Sequence, residues 1–241
     1  MSPEFGDLVR KHLDAVDKRN AEALTDVADL LLACIRADGL ILSGGAGHSL
    51  AAVAETFYRA GGLACVRPLY HHDLLPMHGA MTSTSTEREQ GLAARVLQEV
   101  PLSGHDVVVV FSTSGVNPYP VELAVTGRAI GCPVIAVTSG PASAAAPPRS
   151  AAGTLAENAT IVLDTLVPPG DSVYPPEAPH TAALSTVVNA YLWNQVLAKL
   201  SQTAAAMHQE LPLWRSSNVP GGDEANSSLL AKYAPRVPQL S

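Results

Sequence analysis

A chain of 241 residues that is 47% hydrophobic and only 15% charged can bury a substantial core as one large domain or two small ones. Its formal net charge of −7, with no Lys/Arg run, excludes the clustered positive field that nucleic-acid binding needs. No apolar stretch approaches the roughly 20 residues of a membrane span, and the charged start MSPEFGDLVRKHLDAVDKRN lacks a signal peptide's apolar centre, so a cytoplasmic protein is expected. Aromatics are 5%, which leaves Ala, Val, Leu and Ile to build the core. Cys34, Cys65 and Cys132 are scattered in apolar runs with no CxxC pair, and read as buried free thiols.

Residues 4–37 read as helical, because Leu8, Leu13, Val16, Leu24, Val27, Leu31 and Ile35 recur at spacings of three to five. Gly39 to Leu42 is a short apolar run ending in a Gly-rich turn. A helix over about 48–60 follows and stops at Gly61-Gly62. Leu63–Leu69 reads as a second strand, 70–84 as a polar loop, and 85–99 as helical again. Asp106–Phe111 holds four consecutive valines, the mark of a strand covered on both faces. A helix over Pro118–Ile130, strands at 133–138 and 160–166, and a long helix over about 181–205 complete the series. The Ala/Pro/Ser-rich stretch 140–153 reads as an irregular surface loop. Residues 1–211 therefore form one α/β unit. Residues 212–241, rich in Pro, Gly, Asn and Ser, form an extended tail with a short helix near 224–233 that packs on the domain or on a neighbouring subunit.

Strands alternating with helices predict a parallel sheet with helices on both faces and right-handed crossovers. In such sheets ligands bind beyond the carboxyl ends of the strands, where strand order reverses. The loops after the strands are thus the place to look for chemistry.

The strongest local signal is VVVVFSTSGVNPYPVELA. A buried strand runs straight into Ser112-Thr113-Ser114-Gly115, Asn117 suits the N-cap and Pro118 the first helical position. Hydroxyls, free backbone N–H groups and the helix dipole then converge on one point, which suits a phosphate without Lys or Arg. A polar turn that only caps the helix would have the same sequence. Ser43-Gly44-Gly45-Ala46-Gly47-His48-Ser49 is a second Gly-rich loop. It lacks the third glycine and the acidic residue of a dinucleotide site, and no Walker motif occurs.

Together the two loops resemble the sugar isomerase (SIS) family, whose marks are Gly-x-Gly-x-Ser after the first strand (Gly45 to Ser49) and Ser-x-Ser-Gly after a later Val-rich strand (Ser112 to Gly115). The resemblance covers about residues 5–205. It implies a three-layer α/β/α sandwich with a five-stranded parallel sheet in flavodoxin-like order, no cofactor, and a homodimer or homotetramer with sites near the subunit interface. The stretches Met81–Arg88 with Gly91-Leu92-Ala93, and Ser217–Asn226, are similar to the branch of N-acetylglucosamine-6-phosphate dehydratase, and more distantly to N-acetylmuramic acid 6-phosphate etherase. One departure is Val116-Asn117-Pro118 after Ser-Gly, where the better-known isomerases carry a Glu/Thr pattern.

The implied chemistry starts at C2 of an open-chain amino-sugar phosphate, whose proton the neighbouring carbonyl acidifies. A carboxylate removes it, and the enolate is either reprotonated elsewhere or expels a group from C3, which needs an acid. The resemblance implies a glutamate in the region of Glu87, read as the base at the start of a helix. Thr84 three residues earlier would equally make it a capping-box acid. Glu89 is expected to face solvent. Glu55 is a further candidate, and Glu122 follows the phosphate loop. His78 or His180 is the proton-transfer group, and His48 lines the first turn. His12, His105 and His208 read as surface residues. His71-His72-Asp73 would supply enough metal ligands, but adjacent histidines are expected to project apart, so no metal is expected. Phosphate anchorage falls to Gly45, Gly47, Ser49, Ser112, Thr113, Ser114, Gly115 and Asn117. The preferred reading is dehydration of N-acetylglucosamine 6-phosphate. The alternatives are an aldose–ketose isomerase and a non-catalytic sugar-phosphate sensor. The sensor is disfavoured because few residues precede the first strand and no basic patch appears.

Overall fold

The computed structural model describes residues 4–98 and 100–241. The chain opens with one helix, α1 (Phe5–Arg36), whose apolar stripe of Val16, Val27, Leu31 and Leu32 is buried. Asp7 in its first turn and Arg36 in its last complement the helix dipole. There follow β1 (Ile41–Gly45), α2 (Leu50–Thr56), β2 (Val66–Leu69), α3 (Ala80–Thr86), α4 (Leu92–Gln98), β3 (Val107–Phe111), α5 (Pro118–Ile130) and β4 (Val134–Thr138). The chain continues with α6 (Gly140–Ala145), β5 (Ile161–Asp164), β6 (Ser172–Tyr174), β7 (Thr181–Ala183), α7 (Ser185–Ala206) and α8 (Gly222–Tyr233).

Five strands form one all-parallel sheet in the order β2-β1-β3-β4-β5, as expected. The chain moves one way from β1 to β2 and the other way from β3 to β4. Right-handed crossovers therefore put α2 and α5 on opposite faces. α2 packs on α7 and α7 on α1, while α4 packs on α5. Both faces of β3 are covered, and every residue of Val107–Phe111 is buried. On the α5 face Gly44 makes room for the helix: a Cβ there would stand 2.7 Å from Leu123 Cδ1. The order reverses between β1 and β3, so the carboxyl ends of those two strands open into a crevice.

Several boundaries differ from the sequence reading. β1 begins at Ile41 and runs to Gly45, because Gly44 and Gly45 stay in register with Val110 and Phe111. The stretch 70–84 is not a plain loop. Single helical turns at His72–Leu74 and Pro76–His78 lead into α3, which the buried Ser83 anchors by donating from Oγ to Leu74 O at 2.8 Å. A turn with Gly91 in the left-handed region then separates α3 from α4, so no helix spans 85–99. Within 140–153, Ser139 caps α6 by accepting from Ala142 N. The last long helix starts at Ser185, because Thr181–Ala183 pairs with β6 instead.

The tail lies along the β2 edge of the sheet. Leu213 bridges Leu63, Trp214 and Val237 are buried, and Arg67 donates to Arg236 O at 2.8 Å. Covering an edge strand in this way removes a site for unwanted strand pairing. The three cysteines are free and buried, and burial raises each thiol above its ordinary pKa. Among the described residues no helix is long and apolar enough to cross a membrane.

Candidate active site

β3 delivers Ser112 to the crevice. Ser112 N–H donates to Val137 O, and its Oγ accepts from Gly115 N at 3.2 Å, which closes the turn. Gly115 sits at φ +63, and a Cβ there would stand 2.8 Å from Thr138 Oγ1. Its carbonyl accepts from Leu155 N at 2.7 Å. The glycine is therefore required by both conformation and space. Thr113 and Ser114 are left partly exposed at the mouth of α5.

Asn117 is the N-cap residue of α5 with extended backbone, as expected, but its side chain makes no cap bond. Instead Nδ2 donates to Glu87 Oε1 at 2.8 Å, and Oδ1 accepts from Arg149 at 3.1 Å. A guanidinium can only donate, so Arg149 fixes which way the amide points and obliges its NH₂ to face Glu87.

Glu87 is not at a helix start. It terminates α3, and Thr84 Oγ1 bonds Ala80 O rather than forming a capping box. Its carbonyl accepts from Tyr119 N, tying α3 to the first turn of α5. Burial pushes the Glu87 carboxyl above the usual range, while Arg88 and Arg149 pull the other way. The net effect is a carboxylate more basic than an exposed one.

After β1, Gly47 at φ +58 turns the chain through Gly47–Ser49 into α2. Ala46, His48 and Ser49 face the same cleft of about 370 Å³ as Glu87, Ser112–Ser114 and Asn117. Gly45 is buried at the end of β1, and Gly115 lies behind its own loop. Gly47 borders a second, apolar hollow of about 550 Å³ with Val53, Phe57 and Met77, and His48 lines both spaces.

The far wall of the cleft was not anticipated. Ala142 and Ala145 of α6, Asp171 and Ser185 form it. Asp171, at φ +65, accepts from Leu184 N and Ser185 N on Oδ1 and from Ser185 Oγ on Oδ2. It thereby caps α7. The turn-forming run Pro169-Gly170-Asp171-Ser172 was the available signal, but a helix read as starting at 181 hid its partner.

Other candidates lie elsewhere. Glu55 pairs with Arg59 and accepts from Asn194 at 3.1 Å, facing α7. Glu122 accepts from Gly91 N and holds the turn before α4. Exposed Glu89 pairs with Arg95. His180 is exposed and bonded to Ala178 O, and His78 is exposed and bonded to His72 O. Neither lines the cleft. His12 is half-buried, not on the surface as expected, with Nε2 donating to Thr165 O. His71 and His72 do not project apart: their ring centroids are 5.7 Å from each other.

Residues 4–139 match the SIS domain family, over more than half of the chain. The chain belongs to that family. Among curated relatives of this SIS protein, UPF0309 protein SCO4393 of Streptomyces coelicolor is 38% identical over 243 residues, covering 97% of this chain and 95% of that one. UPF0309 protein BH0227 of Halalkalibacterium halodurans is 33% identical over 244 residues, covering 100% and 98%. The chain therefore also belongs to the UPF0309 group. Among solved structures, phosphoheptose isomerase GmhA from Neisseria gonorrhoeae aligns with a TM-score of 0.55 at 19% identity, over 81% of this chain and 94% of that one. The sugar isomerase domain of an RpiR transcription factor from Sphaerobacter thermophilus aligns at 0.50 and 15% identity, over 97% and 99%. At these identities the likeness is one of fold, and it agrees with the sheet order of this SIS protein.

Proposed function

We propose that the cleft binds an amino-sugar 6-phosphate and eliminates water from it, with N-acetylglucosamine 6-phosphate as the substrate the sequence resemblance favours. The observation that carries this reading is the convergence of a half-buried carboxylate, Glu87, with the hydroxyl loop Ser112–Ser114 in one cleft.

In this reading the phosphate sits at the mouth of α5, held by Ser49, Thr113, Ser114 and free backbone N–H groups. The helix dipole adds to them. Asn117 occupies Glu87 Oε1 and leaves Oε2 to face the ligand. In the open-chain sugar, Oε2 takes the C2 proton. The C–H electron pair passes into the carbonyl, and the enolate then forms the C2–C3 double bond as the C3–O bond breaks. The hydroxyl leaves as water with a proton from His48, the histidine on the cleft wall. Arg149 acts through Asn117 and is a positioning residue.

Isomerisation is the second reading. It uses the same first step, and a single carboxyl can carry the proton from C2 to C1 without any acid at C3. Incubation of the purified chain with amino-sugar 6-phosphates, and in parallel with neutral aldose 6-phosphates that carry the C2 hydroxyl a ketose product needs, followed by mass and NMR analysis, separates the two. A product lighter by one water supports elimination. An unchanged mass with a shifted carbonyl supports isomerisation. Tight binding with no product, the same in wild type and Glu87→Gln, would turn the protein into a sensor.

A further inference from the structure

The loop between β2 and α3 brings three metal-binding side chains together at the carboxyl edge of the sheet, with His78 beside them. Among the described residues, His71, His72 and Asp73 are the one group of three such residues whose donor atoms all lie within 4.8 Å of one another. His72 Nε2 is 3.0 Å from Asp73 Oδ1, and His71 Nδ1 is 3.8 Å from Asp73 Oδ2. Donors around a tetrahedral zinc ion stand roughly 3.3–3.5 Å apart, given bond lengths of about 2.0–2.2 Å. The two spacings to Asp73 bracket that range, so side-chain rotations can bring the donors onto one ion.

Hydrogen bonds fix the tautomers. His71 Nδ1 accepts from Asp73 N at 3.3 Å, so its lone pair is on Nδ1, and an ion bound there takes the place of that long bond. His78 Nδ1 lies 3.1 Å from His72 O. A carbonyl only accepts, so His78 donates from Nδ1 and carries its lone pair on Nε2. The His78 ring is 5.4 Å from that of His72. A main-chain carbonyl that fixes the tautomer in this way is a usual outer partner of a zinc-binding histidine.

We propose that His71, His72 and Asp73 form a surface site for a divalent transition-metal ion such as Zn²⁺, with His78 swinging in from outside that group as a fourth ligand or leaving the position to water. Two imidazoles and a carboxylate are borderline donors, which select such ions over Mg²⁺ or Ca²⁺. The two turns that carry these residues, His72–Leu74 and Pro76–His78, also place Leu75 and Met77 on the apolar hollow beside His48. A bound ion would pin that wall. The site is independent of the chemistry assigned to the cleft.

The test is calorimetric titration of the chelator-treated, tag-free full chain with Zn²⁺, alongside the visible absorption of added Co²⁺. The expected result is one saturable site per chain and a tetrahedral cobalt spectrum. His71→Ala/His72→Ala should weaken binding by at least about tenfold, the lower end of the losses seen when even the outer partners of a metal site are removed. Asp73→Asn should weaken it as well, in case the double variant folds poorly. Glu87→Gln should bind Zn²⁺ as wild type does. No saturable binding, or a site that both ligand variants leave intact, overturns the proposal.

Discussion

The two walls of the cleft are built in opposite ways. The near wall, Ser112 to Asn117, is one unbroken stretch in which strand, turn and helix start follow each other, so its shape is local. The far wall draws Asp171, Ser185 and α6 from separate parts of the chain, and only tertiary packing holds them in place. Glu87 is tied to the near wall twice, by Asn117 Nδ2 and by the Tyr119 amide behind it. The near wall should therefore respond to substitution in an all-or-none way, and the far wall in a graded way.

The largest effect is expected at Glu87 itself. Glu87→Gln should lower turnover by about 10²- to 10⁴-fold, the usual contribution of a positioned acid–base group, while ligand affinity in a thermal-shift titration stays near wild type. The same variant should be more stable at neutral pH. Burial raises the folded-state pKa of Glu87, so the ionised carboxylate opposes folding above that pKa, and the opposition fades as pH falls through it. The gain in melting temperature should therefore shrink in acid.

Next is the near wall. Gly115→Ala forces a side chain into the left-handed region and against Thr138 Oγ1. A loss of about 1–3 kcal/mol in denaturant unfolding is expected, with loss of phosphate affinity. On the far wall, Asp171→Asn keeps one acceptor but gives up the charge at the start of α7. A cost of about 1–2 kcal/mol and a rise in KM larger than any fall in kcat should follow.

The smallest effect is expected for Arg149→Met. Removing the guanidinium takes away a pull that lowers the Glu87 pKa, so the acidic limb of the kcat profile should move to higher pH. Arg149 is exposed, so salt should shrink that shift in the wild-type comparison. Arg149→Lys should restore part of it.

The same contrast explains what the sequence reveals. The Val107–Phe111 run, the Ser112–Gly115 turn and Pro118 announce β3, the loop and α5 because every signal is local, and α5 matches its expected limits. α3 escaped notice because Met81–Thr86 carries no apolar stripe; Ser83 seats it through a hydrogen bond to a residue nine positions away. Glu87 was found as a residue but misplaced in its helix for that reason. Asp171 and Arg149 act on partners 14 and 32 residues distant, which no periodicity encodes. In the sequence Glu55 stands as a further candidate beside Glu87, and His78 and His180 stand ahead of His48 for proton transfer; only the fold shows that Glu87 and His48 share the cleft and the other three do not line it.

The most direct measurement is proton exchange at the sugar's C2 in deuterated water. The wild-type chain, given N-acetylglucosamine 6-phosphate, should incorporate deuterium at C2 or lose that hydrogen into the product, and Glu87→Gln should do neither while still binding the ligand. Exchange that persists at the wild-type rate in the variant would contradict the role given to Glu87.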